Sequence, residues 1–264
     1  MMGIEQVVFS EQRVMSGHSK WSTIKRRKGA EDAKRGKIFT RIARDIAQAA
    51  REGGGDENAN PRLKLAIQKA KAANMPKDNV ERAVLRGLGK LEGASEEETT
   101  YEGYGPDGVA YLIDTLSDNK NRTLSEVKHA FNKGGGSMAS AGSVAWQFEQ
   151  KGYITLQGDN LDFDEVFLVA AEAGADDVVN EEGTIIVCTP RELLAAVENA
   201  LTSAGYEVED AELRWEAKNE VALPVDKAMA NMRLMNELEE LDDVQSVASN
   251  LQITDEAIAA FETA

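Results

Sequence analysis

Residues 152–211 read GYITLQGDNLDFDEVFLVAAEAGADDVVNEEGTIIVCTPRELLAAVENALTSAGYEVEDA, and this stretch decides the fold. GYITLQ reads as a strand, DFDEVFLVAAEAG as a helix, ADDVVNE and TIIVCT as a hairpin, and YEVEDA as a closing strand. Between the last two strands lies the helix PRELLAAVENALTSAG, where Thr189, Pro190 and Glu192 fit a capping box with proline in the first turn. The order is βαββαβ, a ferredoxin-like unit. The flanking pieces spell the same order. Residues 109–149 supply the strand VAYLIDTL, a helix capped by Thr123 and Glu126, and the strand SVAWQFE. Residues 213–250 supply the strand LRWEAKNEVAL, the helix PVDKAMANMRLMNELEEL and the strand DVQSVASN. The predicted architecture is therefore two ferredoxin-like βαββαβ domains, one inserted in the other, with a short tail helix from Asp255. A single mixed sheet holding every strand is less economical. Met229, Met232 and Met235, with Leu234, Leu238 and Leu241, are expected as core packing.

The chain upstream of Lys90 has a different character. Residues 17–46, GHSKWSTIKRRKGAEDAKRGKIFTRIARDI, are dense in cations and hold only Glu31, Asp32 and Asp45 against them. From Arg13 to Lys90 there are 20 Lys and Arg against 8 Asp and Glu, a balance of +12. Leu91 to Ala264 has 10 against 36, a balance of −26, in a chain of formal net charge −16. Such segregation points to a polyanion as partner of the first part. Residues 16–36 show no apolar helical period and are expected to be an extended, mobile arm. From Lys37 onward Ile38, Ile42, Ile46 and Ala49 mark one helical face. Asn60 then caps a second helix with Pro61 at its first position, and a third runs from near Pro76 to Gly87, with Asp78 and Glu81 as a capping box.

The candidate nucleic-acid contacts are His18, Ser19, Lys20, Trp21, Lys25, Arg26, Arg27, Lys28, Lys34, Arg35, Lys37, Arg41 and Arg44. The cations would meet phosphates, while Trp21 and His18 would stack on bases or sugars. They precede the helix instead of lining a groove-facing stripe, so backbone and shape recognition is expected. The helices near 60–73 and 76–87, with Lys77, Arg82 and Arg86 on the second, read as a plain helical hairpin more readily than a helix-turn-helix. Their turn, AANMP, lacks glycine. The acidic remainder would repel nucleic acid, leaving only the helical end to dock.

The wording of several stretches resembles a known family. Met15-Ser16-Gly17-His18-Ser19-Lys20-Trp21 followed by KRGKIFTRIARDI, then NPRLKLAIQKAKAANMPKDNVERA, YEGYGPDGVA, NKNRT and GSVAWQF closely resemble the YebC/PmpR family over nearly the whole chain. The resemblance implies a three-part arrangement. Residues 1–15 would be a non-structural extension and 16–90 the basic arm and helical domain. Residues 100–150 plus 212–264 would form one α+β domain, and 151–211 the inserted one. It also implies a non-enzymatic regulator of gene expression, described in the family as a DNA-binding transcriptional regulator. Some members, including the mitochondrial translational activator of cytochrome oxidase, act instead in translation, which makes ribosomal RNA and the ribosome the alternative partners. Where the family often carries Gly-Gly-Asn-Leu-Gly, this chain has Ser137, Met138 and Ala139, leaving Gly135, Gly136, Gly142 and Ser143 as a flexible contact loop.

Other chemistries find little support. The loop 133–143 lacks Walker spacing and precedes a strand, which argues against a phosphate cradle. His18 and His129 lie far apart in sequence, and no nucleophile–base set can be assembled. Cys188, in TIIVCT, reads as a buried strand thiol, and no Cys/His cluster nominates a metal. No cofactor is expected. No apolar run approaches the roughly 20 residues that span a bilayer, and residues 1–14 lack the features of a secretory signal, so a cytoplasmic protein is expected. The rival class is a small-ligand protein or enzyme using an interdomain cleft.

Overall fold

The computed structural model describes Trp21 and residues 32–91, 97–158, 161–181 and 183–263, with the side chains of 32–37 and 181 outside the description. The first unit is three helices: α1 (Asp32–Gly53), α2 (Pro61–Ala72) and α3 (Lys77–Gly87). Ile42, Ile46, Ala49 and Ala50 of α1 meet Leu63, Ala66 and Ala70 of α2 and Ala83 of α3 in one small core. Asn60 joins the elements. Its carboxamide oxygen accepts from the Leu63 amide (3.1 Å), while its nitrogen donates to the carbonyls of Ala49 and Gly54, both at 2.8 Å. Close approach of α1 and α3 requires Gly87, because a Cβ there would lie 2.1 Å from the Ala47 carbonyl.

Two expectations fail here. Helix α1 begins at Asp32, not Lys37, so Lys34, Arg35 and Lys37 lie within a helix and not on an extended arm. Ala, Lys and Arg are good helix formers and Asp32 suits the positive end of the helix dipole, so no apolar period is needed there. Helix α3 has Pro76 at its N-cap with no side-chain bond, so the Asp78/Glu81 box is not used. The extension 1–15 and most of the arm lie outside the described residues.

The α+β part contains two four-stranded antiparallel sheets. The inner one is built from β4 (Phe148–Gln157), α5 (Phe163–Glu172), β5 (Asp177–Glu181), β6 (Thr184–Pro190), α6 (Leu194–Ser203) and β7 (Val208–Ala217), in sheet order β5-β6-β4-β7. Ile154, Leu156, Ile185 and Val187 pack under Val166, Ala170, Val197 and Leu201. Pairing of β4 with β7 runs from Phe148↔Ala217 to Leu156↔Val208, so both strands continue beyond the expected bounds at 151 and 211. Of SVAWQFE only Phe148 and Glu149 are strand, continuous with KGYITLQ after a 3-10 turn at Ala145–Gln147, and YEVEDAE merges with LRWEA. A 3-10 turn at Arg191–Leu193 precedes α6, which has no side-chain cap, so Thr189 is not a capping residue.

The outer sheet comprises β1 (Glu97–Tyr104), β2 (Ala110–Ser117), β3 (Ser137–Ala139) and β8 (Val244–Ser249), ordered β3-β1-β2-β8. Its helices are α4 (Lys120–Lys133), α7 (Val225–Glu239) and α8 (Asp255–Glu262). Of the expected third strand, LRWEAKNEVAL, residues 213–217 belong to the inner sheet instead, and Val221 makes an isolated bridge to Leu251. The place beside β2 is taken by β1, from the acidic stretch EETTYEGY. Only Glu102–Tyr104 of β1 is flanked on both sides, because β3 pairs with those residues alone. The rest is a sheet edge, which explains a strand as polar as EETTYEGY. Helix α4 starts at Lys120 with Asn119 as its cap, so Thr123 sits inside the helix, buried.

Strand β2 is buried on both faces. Tyr111 and Ile113 meet Phe131, Met232, Met235 and Leu238 on the helical side. Ala110 and Leu112 meet Val144 and Phe148, with Trp215 and Ala217 packed beside them. The paired ends of β4 and β7 therefore form a stem, and the outer sheet rests on it.

Candidate nucleic-acid interface

Of the candidate contacts, His18, Ser19, Lys20, Lys25, Arg26, Arg27 and Lys28 lie outside the described residues, as do the side chains of Lys34, Arg35 and Lys37. Trp21, Arg41 and Arg44 are described, and all three are engaged within the protein. Trp21 is only 2% exposed. Its ring meets Phe261 edge-on at 5.5 Å, and its Nε1 donates to Glu239 Oε1 at 3.1 Å. A ring so enclosed has no face for a base, so the stacking role expected of it is withdrawn. Arg41 donates to the carbonyls of Glu239 and Leu241, at the end of α7. Arg44 donates to the Asp242 carbonyl at 2.8 Å and to Asp243 Oδ1 at 3.0 Å. The C-terminus of a helix presents unpaired carbonyls and a partial negative charge, and the neighbouring carboxylates add to it. These two arginines hold the helical unit against the outer domain.

A second set ties the helical unit to the inner domain and to β1. Lys69 pairs with Glu212, whose other oxygen accepts from Arg214 Nε at 2.6 Å. Gln68 donates to Glu198 at 3.0 Å, and Arg62 bridges Glu52 and Glu98. Asp45 feels this network. Burial pushes its pKa up to about 6, against the opposing pull of Lys69 and Arg62. A carboxyl raised in this way contributes stability that is present below the ordinary value of 3.8 and is lost as pH rises through about 6. Asp45→Asn should therefore melt at a higher temperature than wild type near neutral pH, by about 1–2 kcal/mol in stability. The difference should vanish near the ordinary carboxylate pKa. Equal melting of the two proteins at neutral pH would contradict this.

The outward residues of the helical unit are mixed in charge, with cations in excess. On α3, Asn79, Arg82 and Arg86 are exposed on one flank, with Lys90 just beyond the helix. Arg82, Arg86, Lys90, Lys64 and Lys71 make no ion pair among the described residues. Arg82 and Arg86 repel each other at i and i+4, while Asp78 one turn before Arg82 and the dipole at the helix end beside Arg86 offset that cost. The turn between α2 and α3 is made by Asn74, which takes the left-handed conformation (φ 55°) in place of a glycine.

The glycine-rich loop is less free than expected. Gly135 and Gly142 take positive φ (79° and 84°), but Ser137–Ala139 between them is strand β3. Gly136 is packed so closely that a Cβ would sit 2.4 Å from the Tyr104 carbonyl. The carboxylate of Glu102, buried in β1, accepts from the amides of Gly142 (2.5 Å), Val144 (2.6 Å) and Ala145 (3.0 Å). Burial opposes its charge, yet these amides prevail and hold its pKa below the usual range. The loop is a fastened structure, so its expected flexibility is withdrawn. Ser143 contributes its carbonyl, which accepts from Tyr104 Oη (3.3 Å) and Trp146 Nε1 (3.0 Å). Trp146 itself is 68% exposed. Sequence reading passed over it because GSVAWQF looks like an ordinary apolar strand.

A cleft of about 980 Å³ opens between α2 and the inner domain, lined by Gln68, Lys71, Gln157, Thr184, Glu207 and Glu209. It brings no nucleophile next to a base. Burial pushes the Cys188 thiol up to about 11, away from a reactive thiolate. Among the described residues no acidic, His or Cys cluster could hold a metal, and no helix is long and apolar enough to cross a membrane.

A cationic helical unit braced on two nested, acidic α+β units defines a multi-domain α and α+β class. Comparison with known proteins makes that class specific. Residues 19–90 match the TACO1/YebC protein N-terminal domain, and residues 96–251 match the TACO1/YebC second and third domain. The chain belongs to the TACO1/YebC family. A protein of Acidithiobacillus ferrooxidans is 53% identical over 94% of this chain and 99% of its own length. One of Geobacter sulfurreducens is 51% identical over 92% of this chain and 98% of its own. Both carry the name probable transcriptional regulatory protein. The crystal structure of a conserved hypothetical protein from Aquifex aeolicus shares the fold, with TM-score 0.79 and 43% identity over 85% of this chain and 93% of that one.

Proposed function

We propose that this protein is a non-enzymatic regulator of gene expression that binds nucleic acid through its N-terminal cationic segment and the exposed flank of α3. The observation that carries this reading is the charge segregation, +12 over Arg13–Lys90 against −26 over Leu91–Ala264. Arg41, Arg44, Arg62 and Lys69 are spent on carbonyls and carboxylates inside the protein. Arg82, Arg86 and Lys90 are not, and Lys20, Lys25, Arg26, Arg27 and Lys28 add to them in sequence. The two acidic domains disfavour a polyanion over most of their surface, so the main contact with the target lies at the helical end. The names of its relatives support transcriptional regulation, for which duplex DNA is the natural target. A translational role on ribosomal RNA is the second reading, and the exposed Trp146 favours it, because an indole face suits unpaired bases.

Salt dependence tests the reading. If about six cations neutralise phosphates, log affinity falls with log salt at a slope of roughly −5 on duplex DNA or −4 on single strands. Replacing Lys25, Arg26, Arg27 and Lys28 with alanine should flatten the slope by about three units and leave stability nearly unchanged. An unchanged slope on every nucleic acid would overturn the role of these four cations.

A further inference from the structure

The fold spends several interactions on keeping one large aromatic ring in water. Trp146 is the most exposed of the large apolar side chains among the described residues, at 68%. Its neighbours on both sides anchor it: Val144 and Phe148 are buried, at 0% and 3% exposure, in the cluster beneath β2. The turn that carries it is held by the Glu102 carboxylate through three backbone amides. Its one polar group is already satisfied, since Nε1 donates to the Ser143 carbonyl at 3.0 Å. Its own carbonyl accepts from Lys218 Nζ at 2.9 Å. What the ring offers is therefore a flat, apolar face in a fixed orientation, with no polar edge left to pair.

A cation stands beside it. Lys218 is exposed and makes no ion pair among the described residues, and two of its three ammonium protons remain for another acceptor. The nearby carboxylates Glu149 and Glu216 both lie 3.7 Å from Lys151. A rigid π-face next to an available ammonium matches the chemistry of an unpaired nucleotide, whose base stacks while its phosphate meets the cation. A purely apolar protein partner would gain nothing from the lysine, and a duplex offers no free base face. We propose that Trp146 and Lys218 form a second contact site, a stacking platform for an unpaired base of a single-stranded nucleic acid. The proposal rests on the nucleic-acid reading above, and it moves the stacking role from the N-terminal tryptophan to the far side of the outer sheet.

The test uses the full chain with short mixed-sequence oligonucleotides: single-stranded RNA, single-stranded DNA and duplex DNA. Wild-type tryptophan emission should be quenched on adding either single strand, and in Trp146→Phe the quenching should be lost with most of the affinity kept. Trp146→Ala should weaken single-strand binding roughly 5- to 150-fold and leave duplex binding unchanged. Lys218→Ala should flatten the single-strand salt slope by about 0.7. Both residues are exposed, so thermal melting should match wild type and separates a contact defect from misfolding. Preference for RNA over DNA identifies the source of the base; equal binding assigns the site to unpaired strands generally. Unaltered single-strand affinity in Trp146→Ala, with loss in the four-residue arm variant, overturns the platform alone. Equal loss on duplex and single strands also overturns it. Absence of any binding by wild type overturns both readings.

Discussion

Asp243→Ala should lower the unfolding free energy by about 3–5 kcal/mol, as removal of one partner from a buried ionic network does. Asp243 is 1% exposed and accepts at both oxygens. Oδ1 takes Arg44 at 3.0 Å; Oδ2 takes Arg122 and Thr123 at 2.7 Å each and Ser117 at 2.9 Å. Alanine would take one acceptor from each of two guanidinium groups and two hydroxyls, leaving Arg44 the Asp242 carbonyl and Arg122 the Asp118 carboxylate. It would also loosen the helical unit, since Arg44 reaches this carboxylate from α1. Burial works against the Asp243 charge, but Arg122, Thr123, Ser117 and Arg44 outweigh it and depress the pKa. The stabilisation is therefore present above the ordinary carboxylate pKa and is lost as pH falls through the depressed value. Urea denaturation of wild type, Asp243→Ala, Arg44→Ala and the double variant should give a coupling energy of about 1–3 kcal/mol. A loss under about 1 kcal/mol in Asp243→Ala would show that water replaces these bonds readily.

Trp21→Ala is expected to act on folding, not on ligand binding. A buried tryptophan removed from a packed core costs about 3–5 kcal/mol, through lost burial and the cavity left behind. The indole bond to Glu239 goes as well. Thermal melting should shift down by several degrees, while affinity of the folded fraction for nucleic acid stays at the wild-type level. The opposite pattern, intact melting with weakened binding to unpaired bases, would restore the stacking role that the sequence suggested.

The contrast between these two tryptophans shows where sequence reading works. The inner domain was legible because its strands and helices announce themselves locally, by period and by Gly and Pro at their ends. Asn60 and Pro61 gave away the start of α2 in the same local way. Strand β1 was not legible, since more than half of it is an edge and needs no apolar alternation. Trp21, Arg41 and Arg44 were misread because their partners, Phe261, Glu239 and Asp243, lie about 200 or more positions away. A cation beside a distant carboxylate looks the same in sequence as one awaiting a phosphate. Trp146 was hidden for the converse reason: its neighbours are core residues, and only the 3-10 turn rotates the ring outward.

The stem formed by β4 and β7 has a consequence for the order in which the chain assembles. Pairing of β2 with β8 brings together Ile113 and Val247, about 130 positions apart. Once the inner domain has folded, β4 and β7 lie side by side, and the open chain left to close shrinks to about 65 residues. Loop-closure entropy grows as the logarithm of length, so this shortening is worth only about 0.6 kcal/mol, or roughly a threefold gain in closure probability. The larger effect is on timing. During synthesis the inner domain emerges complete before β8 exists, so β1 and β2 must wait, half-covered, for a strand that arrives last. The polar edge of β1 and the charged residues at its start guard that side of the waiting sheet, while the β2 edge stays open to another chain until β8 covers it.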